Sequence, residues 1–321
     1  EWVWPTICQL DEEEIVNEAT RDFCEGVLQG WQLSRDDWET LMPEESEDNA
    51  LLGGVLLSLS MLYDPETSIT ALKEQGIEGI VVDLRNNGGG SLEAVVKMTG
   101  LFIEQGPVVQ VKSKDSDANV LVDRDDKVQW TGPLVVMVNN FSASASEIFA
   151  AAIQDYKRGI VIGSKHTFGK GTVQNVISLD QFLRNSSFGE LGALKTTTQK
   201  FYRINGGSTQ LKGVMSDVIM PDRYTYLEMG ERDEKAALPW DKIAPASYQT
   251  VFTDFNEVIN KSKERIANSS EFKLIDENAK WIFDRKDDNL YQLNLEAFDQ
   301  ENEKSEKELK RFKTLNKYSN G

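Results

Sequence analysis

Short apolar runs alternate with helix-like segments between residues 70 and 225, and this alternation constrains the fold of the 321-residue chain more than any other feature. Three runs have the pattern of buried strands: residues 77–84 (IEGIVVDL), 134–138 (LVVMV) and 160–163 (IVIG). The first two are each followed by a turn rich in Asn or Gly and then by a helix-like segment, 92–102 and 146–156. Apolar strands that alternate with helices favour an α/β layer in which a largely parallel sheet is covered on both faces.

The sequences on either side of this region are polar and have helix-like patterns. The chain is therefore predicted to consist of three regions. Residues 1–63 form an acidic N-terminal helical region, in which apolar residues recur at helical spacing over 11–28. Residues 64–230 form the α/β core. Residues 231–321 form a C-terminal helical region, whose end over 301–317 is dominated by Glu, Lys and Arg and is expected to be solvated.

The charge and the scarcity of His and Cys exclude several functions. The 35 Lys and Arg against 53 Asp and Glu give a formal net charge of −18, which disfavours nucleic acid because phosphates must be neutralised by clustered cations. One histidine cannot build a multi-histidine zinc site, and Cys8 and Cys24 do not indicate a disulfide scaffold. The longest apolar stretch, 51–62, is too short to span a membrane, and no basic-then-apolar leader follows Glu1.

A run of small residues, 141–147 (FSASASE), stands where a predicted strand ends and a helix begins. Free backbone N–H groups at a helix N-terminus can stabilise an oxyanion, and Ser142, Ser144 and Ser146 offer a nucleophile, an N-cap and hydrogen-bonding support. Ser and Ala at such a turn are also ordinary capping residues. Taken alone, the motif is therefore more often structural than catalytic.

A nucleophilic serine needs a base, and the sequence offers two candidates. His166 lies in a polar stretch and is equally a solvent-exposed loop residue. Lys170 lies between two glycines in 167–174 (TFGKGTVQ), which permits close backbone approach, although a single lysine is most often solvated. If this segment is helical, Gln174 shares a face with Lys170 and orients its amine. The phosphate-loop pattern fails because Gly171 follows the lysine.

A glycine-rich turn, 86–90 (NNGGG), follows the first predicted strand and can present backbone N–H groups to an anion, or be merely flexible. With the serine run, the lysine segment and 150–156 (AAAIQDY), it resembles the C-terminal processing, or tail-specific, serine peptidases that use a Ser–Lys pair. Residues 199–210 (QKFYRINGGSTQ) and 238–240 (LPW) resemble the longer, periplasmic branch. The similarity extends from about 70 to about 285.

The resemblance implies a role for each matching position. Ser144 matches the nucleophile, Lys170 the general base and Gln174 the residue that orients the lysine. Gly90 and Ala145 match the two positions whose backbone N–H groups form the oxyanion hole.

Two acidic residues, Asp155 and Glu147, match positions in support of the active site. The implied fold is a crotonase-like α/β core with helical regions at both ends. The implied reaction is acylation of the serine by a peptide carbonyl and then hydrolysis, with no metal or organic cofactor. The implied substrates are proteins with accessible apolar C-terminal tails, an adaptor lipoprotein is a conceivable partner, and the location is the periplasm or cell envelope.

The family usually carries a PDZ domain before the first core strand, but only residues 49–69 are available for it here. This is far below the roughly 50 residues of a small domain, so the domain is absent or its residues are not represented, and 50–59 are a candidate remnant of its groove. Two alternatives to a peptidase stay open: a gated or inactive scaffold that binds proteins, and a crotonase-like enzyme acting on thioesters, which the Ser–Lys–Gln spacing disfavours.

Overall fold

The computed structural model describes residues 54–57, 65–182, 191–251 and 254–318. The helix predicted over 11–28 and both cysteines lie outside these residues, and so does most of the acidic N-terminal region. Among the described residues, none of the helices is long and apolar enough to cross a bilayer.

The described residues form nine strands and six α-helices. The strands are β1 (Gly54–Leu57), β2 (Gly79–Asp83), β3 (Gly106–Lys112), β4 (Asn119–Asp123), β5 (Leu134–Val138), β6 (Ile160–Gly163), β7 (Thr172–Ser178), β8 (Ala193–Tyr202) and β9 (Val218–Ile219). The helices are α1 (Pro65–Glu74), α2 (Leu92–Gly100), α3 (Ala145–Asp155), α4 (Asn256–Asn268), α5 (Ser270–Arg285) and α6 (Leu295–Lys310). Short 3₁₀ turns occupy Leu179–Phe182, Glu231–Asp233 and Lys313–Tyr318.

A five-stranded parallel sheet in the order β1-β2-β5-β6-β9 confirms the α/β prediction. All three predicted strand runs and both helix-like segments that follow them are present within one or two residues of their expected bounds. Strand β1, within the run over 50–59, extends this sheet beside β2. The sheet therefore begins before residue 64. The interpretation of this run as a remnant of a PDZ groove stays a prediction from the resemblance.

A second sheet, antiparallel in the order β4-β3-β8-β7, was not anticipated from the sequence. The residues of its two outer strands are mostly exposed or half-buried. Strand β7 begins two residues after Lys170, so this sheet extends directly from the predicted lysine segment.

The core lies between the parallel sheet and the helices, and α3 is its centre. Nine consecutive residues of α3, from Ala145 to Ile153, are buried. A helix that is buried on all sides is fixed in position, and α2 packs beside it, with the rings of Phe102 and Phe149 in edge-to-face contact at 5.8 Å. The N-terminus of α3 is therefore a rigid platform for residues 141–147.

The C-terminal region contains helices α4, α5 and α6 between residues 256 and 310, and most of their residues are exposed or half-buried. Helix α6 has no buried residue. Phe312, which lies between α6 and the following 3₁₀ turn, is buried, and its ring centroid is 6.4 Å from that of Trp281 of α5. Val251 and Phe255 both precede α4, which begins at Asn256. The main-chain N–H of Val251 instead donates to the carbonyl of Tyr156.

Candidate active site

Three loops meet at one edge of the parallel sheet, each following the carboxyl end of a strand. They are residues 84–91 after β2, 139–144 after β5 and 164–171 after β6. Because β2, β5 and β6 are neighbours and run in the same direction, their following loops must lie side by side. The glycine turn, the serine run and the lysine segment are thereby brought together, although they are far apart in the sequence.

Side-chain hydrogen bonds join the first two loops. Two hydrogen bonds join Asn86 and Asn139. The main-chain N–H of Asn86 donates to Oδ1 of Asn139 at 3.0 Å, and Nδ2 of Asn139 donates to Oδ1 of Asn86 at 2.7 Å. The hydroxyl of Ser142 donates to the carbonyl of Leu84 at 2.7 Å. Asn87 accepts from the hydroxyl of Ser146 at 3.0 Å. Two of the three serines therefore support the loops, which leaves the middle one for chemistry.

Ser144 immediately precedes α3 and has a φ of 58°. A non-glycine residue seldom adopts this left-handed region, and such strain persists only where the surroundings hold it. The holding contact is a hydrogen bond of 2.8 Å from the main-chain N–H of Ser144 to a carboxylate oxygen of Glu147. The serine is only half-buried, whereas its neighbours on both sides are buried.

Glu147 is fully buried and its carboxylate accepts four hydrogen bonds. Oε2 accepts from the main-chain N–H of Ser144 at 2.8 Å and of Lys170 at 3.0 Å. Oε1 accepts from the hydroxyl of Thr167 at 2.6 Å and the main-chain N–H of Gly169 at 2.8 Å. Burial raises the pKa of Glu147 to about 7, and the four donated hydrogen bonds oppose that rise. One oxygen atom thus joins the main chains of the predicted nucleophile and the predicted base.

Lys170 is held through its main chain on both sides. Its N–H donates to Glu147, and its carbonyl accepts from the hydroxyl of Thr209 at 3.0 Å. Among the described residues, these main-chain bonds are the ones that hold it, and the side chain is half-buried. The amine therefore has no competing partner in that part of the chain.

Gly90 and Ala145, the predicted oxyanion positions, lie on the two joined loops. Ala145 is the first residue of α3, where a backbone N–H has no partner within the helix. Gly89, which the sequence did not single out, lies closest to the serine. A Cβ on Gly89 would stand 2.7 Å from Cβ of Ser144 and 2.9 Å from the nitrogen of Ala145, and its φ is +105°. A glycine is required there if the space beside the serine is to stay open.

Gln174 does not lie on a helix with Lys170, so the helical-face argument is wrong for this residue. The segment is strand β7, and a register irregularity falls between Val173 and Gln174. Its side chain is exposed. A role in orienting the lysine remains a prediction from the resemblance alone.

Asp155 lies at the far end of α3, roughly 16 Å from Ser144 along the helix axis. Its carboxylate pairs with Arg203 through both guanidinium contacts, at 2.6 and 3.0 Å, and accepts from the side chain of Asn205 at 2.8 Å. Asp155 can therefore act on the site only indirectly, by fixing the positions of α3 and of the turn after β8.

His166, the alternative base, contacts the guanidinium of Arg232 at 2.6 Å. Burial and the positive charge of Arg232 lower the pKa of His166. Within the described ranges, no group of three or more His, Cys, Asp or Glu side chains is arranged to hold a metal ion.

A serine at a strained strand-to-helix turn, a lysine joined to it through one carboxylate and a glycine loop beside a helix N-terminus thus lie together at this edge of the sheet. The sequence matches the profile of Peptidase family S41 over residues 62–220 and that of the C-terminal domain of tail specific protease over residues 224–321. The chain belongs to peptidase family S41, with the C-terminal domain of its tail-specific members.

Two relatives agree with this assignment in sequence. The chain is 45% identical to the tail-specific protease of Haemophilus influenzae over 80% of its own length and 37% of that protein. It is 35% identical to the carboxy-terminal-processing protease of Bartonella bacilliformis over 46% of its length and 33% of that protein. The solved photosystem II D1 C-terminal processing protease is 32% identical, with a TM-score of 0.42, over 48% of this chain and 37% of that one. The chain thus spans about a third of the length of each of these proteins.

Proposed function

We propose that this chain is the catalytic part of a serine endopeptidase that cleaves proteins with accessible apolar C-terminal tails. The observation that carries the proposal is the shared oxygen of Glu147, which holds the main chains of Ser144 and Lys170 together. In this mechanism the amine of Lys170 takes the proton of the Ser144 hydroxyl as the oxygen attacks the peptide carbonyl.

The negative charge that develops on the carbonyl oxygen needs donors on the opposite side of the serine. The main-chain N–H groups of Gly90 and Ala145 are our proposed donors, and the positive end of α3 adds to their effect. The protonated lysine then gives its proton to the leaving amine. Water then attacks the acyl group while Lys170 takes its proton. The lysine returns this proton to the oxygen of Ser144 as the ester bond breaks, which frees the serine.

The finer aspects of fold and setting follow from the same resemblance. We propose a crotonase-like core over about 64–230, extended by β1 at 54–57, with helical regions before it and over 231–321, supported by the five parallel strands and the serine loop at their carboxyl edge. Proteins and peptides are the proposed partners, with an adaptor lipoprotein in the periplasm or cell envelope. The acidic charge supports an absence of nucleic-acid binding.

The decisive experiment compares alanine variants on an unstructured substrate such as casein. Ser144→Ala and Lys170→Ala should each lose at least about 10³-fold in kcat/KM, because nucleophile and base act as a unit. Lys165→Ala is the matched control, since this exposed lysine lies in the same loop. Retained cleavage in Lys170→Ala would reject the assigned base, and a large loss in His166→Ala would favour the histidine instead.

Substrate choice is tested separately with peptide pairs that differ only at the C-terminus. A peptide with an apolar terminal residue and a free carboxylate should be cleaved faster than its amidated or Asp-terminated partner. Equal rates for all three would show that this chain alone does not select tails.

A further inference from the structure

The first turn of the C-terminal region docks onto the loop that carries Lys170. The main-chain N–H of Glu231 donates to the carbonyl of Phe168 at 3.0 Å. Gly230 has a φ of +96°, and a Cβ on it would stand 2.3 Å from that same carbonyl oxygen. The two segments are therefore in direct main-chain contact, closer than a side chain at residue 230 would permit.

A buried amide connects the side chain of Glu231 to the residue that follows the lysine. Gln210 is fully buried; its Oε1 accepts from the main-chain N–H of Gly171 at 2.8 Å, and its Nε2 donates to Oε1 of Glu231 at 2.9 Å. An amide has one accepting oxygen and one donating NH₂ group, so each contact fixes the orientation required by the other. Without Glu231, the buried NH₂ group loses its partner and the amide is free to rotate.

A second set of contacts from the same turn fixes the segment that contains Gln210. Nη2 of Arg232 donates to the carbonyls of Leu211 and Lys212, and the main-chain N–H of Leu211 donates to the carbonyl of Gly169 at 2.7 Å. Leu211 has a φ of 62°, a strained conformation that needs such support. Residues 169 and 171 are thus both held by segment 210–211, which is itself held by residues 231 and 232.

We propose that Glu231 is a positioning residue for the peptidase reaction: through Gln210 it sets the main chain at Gly171 and hence the direction of the Lys170 side chain. The proposal rests on the proposed function. It adds that the catalytic base is positioned partly by the C-terminal domain, because the S41 profile ends at residue 220 and Glu231 belongs to the profile that starts at 224. Displacing a catalytic group by about 1 Å can cost on the order of 100-fold in rate, so loss of the contact between Glu231 and Gln210 should lower kcat measurably.

Three substitutions of Glu231 separate the effect of side-chain length from the effect of charge. Glu231→Gln keeps an oxygen at the same reach without the charge, and Glu231→Asp keeps the charge but is one methylene too short for Gln210. Glu231→Ala removes both. We expect kcat on a chromogenic peptide to stay within about 2-fold of wild type for Gln, to fall about 10-fold for Asp and to fall further for Ala, with KM little changed. Glu234→Ala, an exposed residue beside the same turn, is the matched control and should match wild type.

The double variant Glu231→Ala/Gln210→Ala should be no slower than the slower single variant, because both remove one connection. Wild-type kcat in Glu231→Asp, or additive losses in the double variant, would overturn the proposal. If kcat falls equally in Glu231→Gln and Glu231→Asp, and in proportion to the fall in their midpoints of thermal unfolding, Glu231 contributes to stability alone. If the wild-type chain does not cleave the peptide, the proposed function fails instead, and the two failures are thereby distinguished.

Discussion

The loops at the carboxyl edge of the parallel sheet and the helices of the C-terminal region both use charged side chains, but in opposite environments. Glu147 is fully buried and accepts four hydrogen bonds. In α4, Lys261 and Glu257 form an ion pair of 2.6 Å whose side chains are 63% and 78% exposed. A buried carboxylate has no water to replace a lost donor, whereas an exposed pair exchanges its partner for solvent. Equally short contacts should therefore differ greatly in their effect on stability and activity.

The largest effect is expected at Glu147. In Glu147→Gln the new NH₂ group cannot accept, so two of the four donors at that position lose their partner. Each unsatisfied buried donor costs about 1–3 kcal/mol, so the free energy of unfolding should fall by about 2–6 kcal/mol. Peptidase activity should fall at least about 100-fold, since the main chains of Ser144 and Lys170 are no longer joined. Urea unfolding and kcat measured on the same preparation check both results, and a variant that stays as stable as wild type would contradict the comparison.

The pH dependence of stability offers a second measurement on Glu147. Its pKa is raised by burial from 4.5 to about 7, so the folded state binds more protons than the unfolded state between these values. Stability should therefore fall as pH rises from about 4.5 to 7, by about 3 kcal/mol if this group acted alone. The difference between wild type and Glu147→Gln, measured at pH 5 and pH 7.5, isolates its contribution. A difference that does not change with pH would show that Glu147 keeps one charge state throughout.

A smaller effect on activity is expected at Gly89. In Gly89→Ala the new Cβ would overlap Cβ of Ser144 and the nitrogen of Ala145, and the left-handed backbone conformation adds strain. We expect kcat/KM to fall on the order of 100-fold. Gly88→Ala is a matched control, because a Cβ on Gly88 meets nothing within 4 Å. Similar losses in the two variants would mean that flexibility of the turn, and not space beside the serine, is what matters.

Asp155 should affect stability more than chemistry. Asp155→Asn removes the charge from the pair with Arg203, whose side chain is largely buried, and should lower the free energy of unfolding by about 1–3 kcal/mol. Below the unfolding transition, kcat should stay within about 3-fold of wild type. A much larger loss of kcat in folded protein would place Asp155 in the catalytic machinery, despite its position at the far end of α3.

The smallest effect is expected on the exposed helix. Lys261→Ala should leave the midpoint of thermal unfolding and the peptidase activity indistinguishable from wild type, because the pair with Glu257 is fully hydrated. A clear loss of stability would show that α4 depends on this pair.

Much of the fold could be predicted because the parallel strands are short continuous apolar runs. Strands β2 and β5 contain only buried and half-buried residues, and no alternation of apolar with polar side chains obscures them. The antiparallel sheet was missed for the opposite reason. In β7 and β8 polar side chains predominate, so the sequence pattern resembles that of a loop.

The candidate site was predictable to the extent that its residues lie in local motifs. Ser144 and Lys170 stand in such motifs, but their connection through Glu147 depends on strand order and could not be read from spacing. Gln174 would share a face with Lys170 if the segment were helical, since four residues match about one helical turn, whereas the chain there pairs with β8. Gly89 and Gly90 are indistinguishable in a run of three glycines, and a positive φ at Gly89 becomes evident only in three dimensions.

The carboxylate of Glu147 has a consequence for the exchange of amide hydrogens with solvent. The main-chain N–H groups of Ser144, Gly169 and Lys170 all have the same acceptor group, so one opening of that side chain exposes all three. Their protection factors should therefore be alike, although the residues belong to two loops and lie up to 26 positions apart. Opening of the lysine loop alone would expose only the N–H groups of Gly169 and Lys170. A protection factor at Ser144 equal to theirs would therefore show that the two loops open as one cooperative unit.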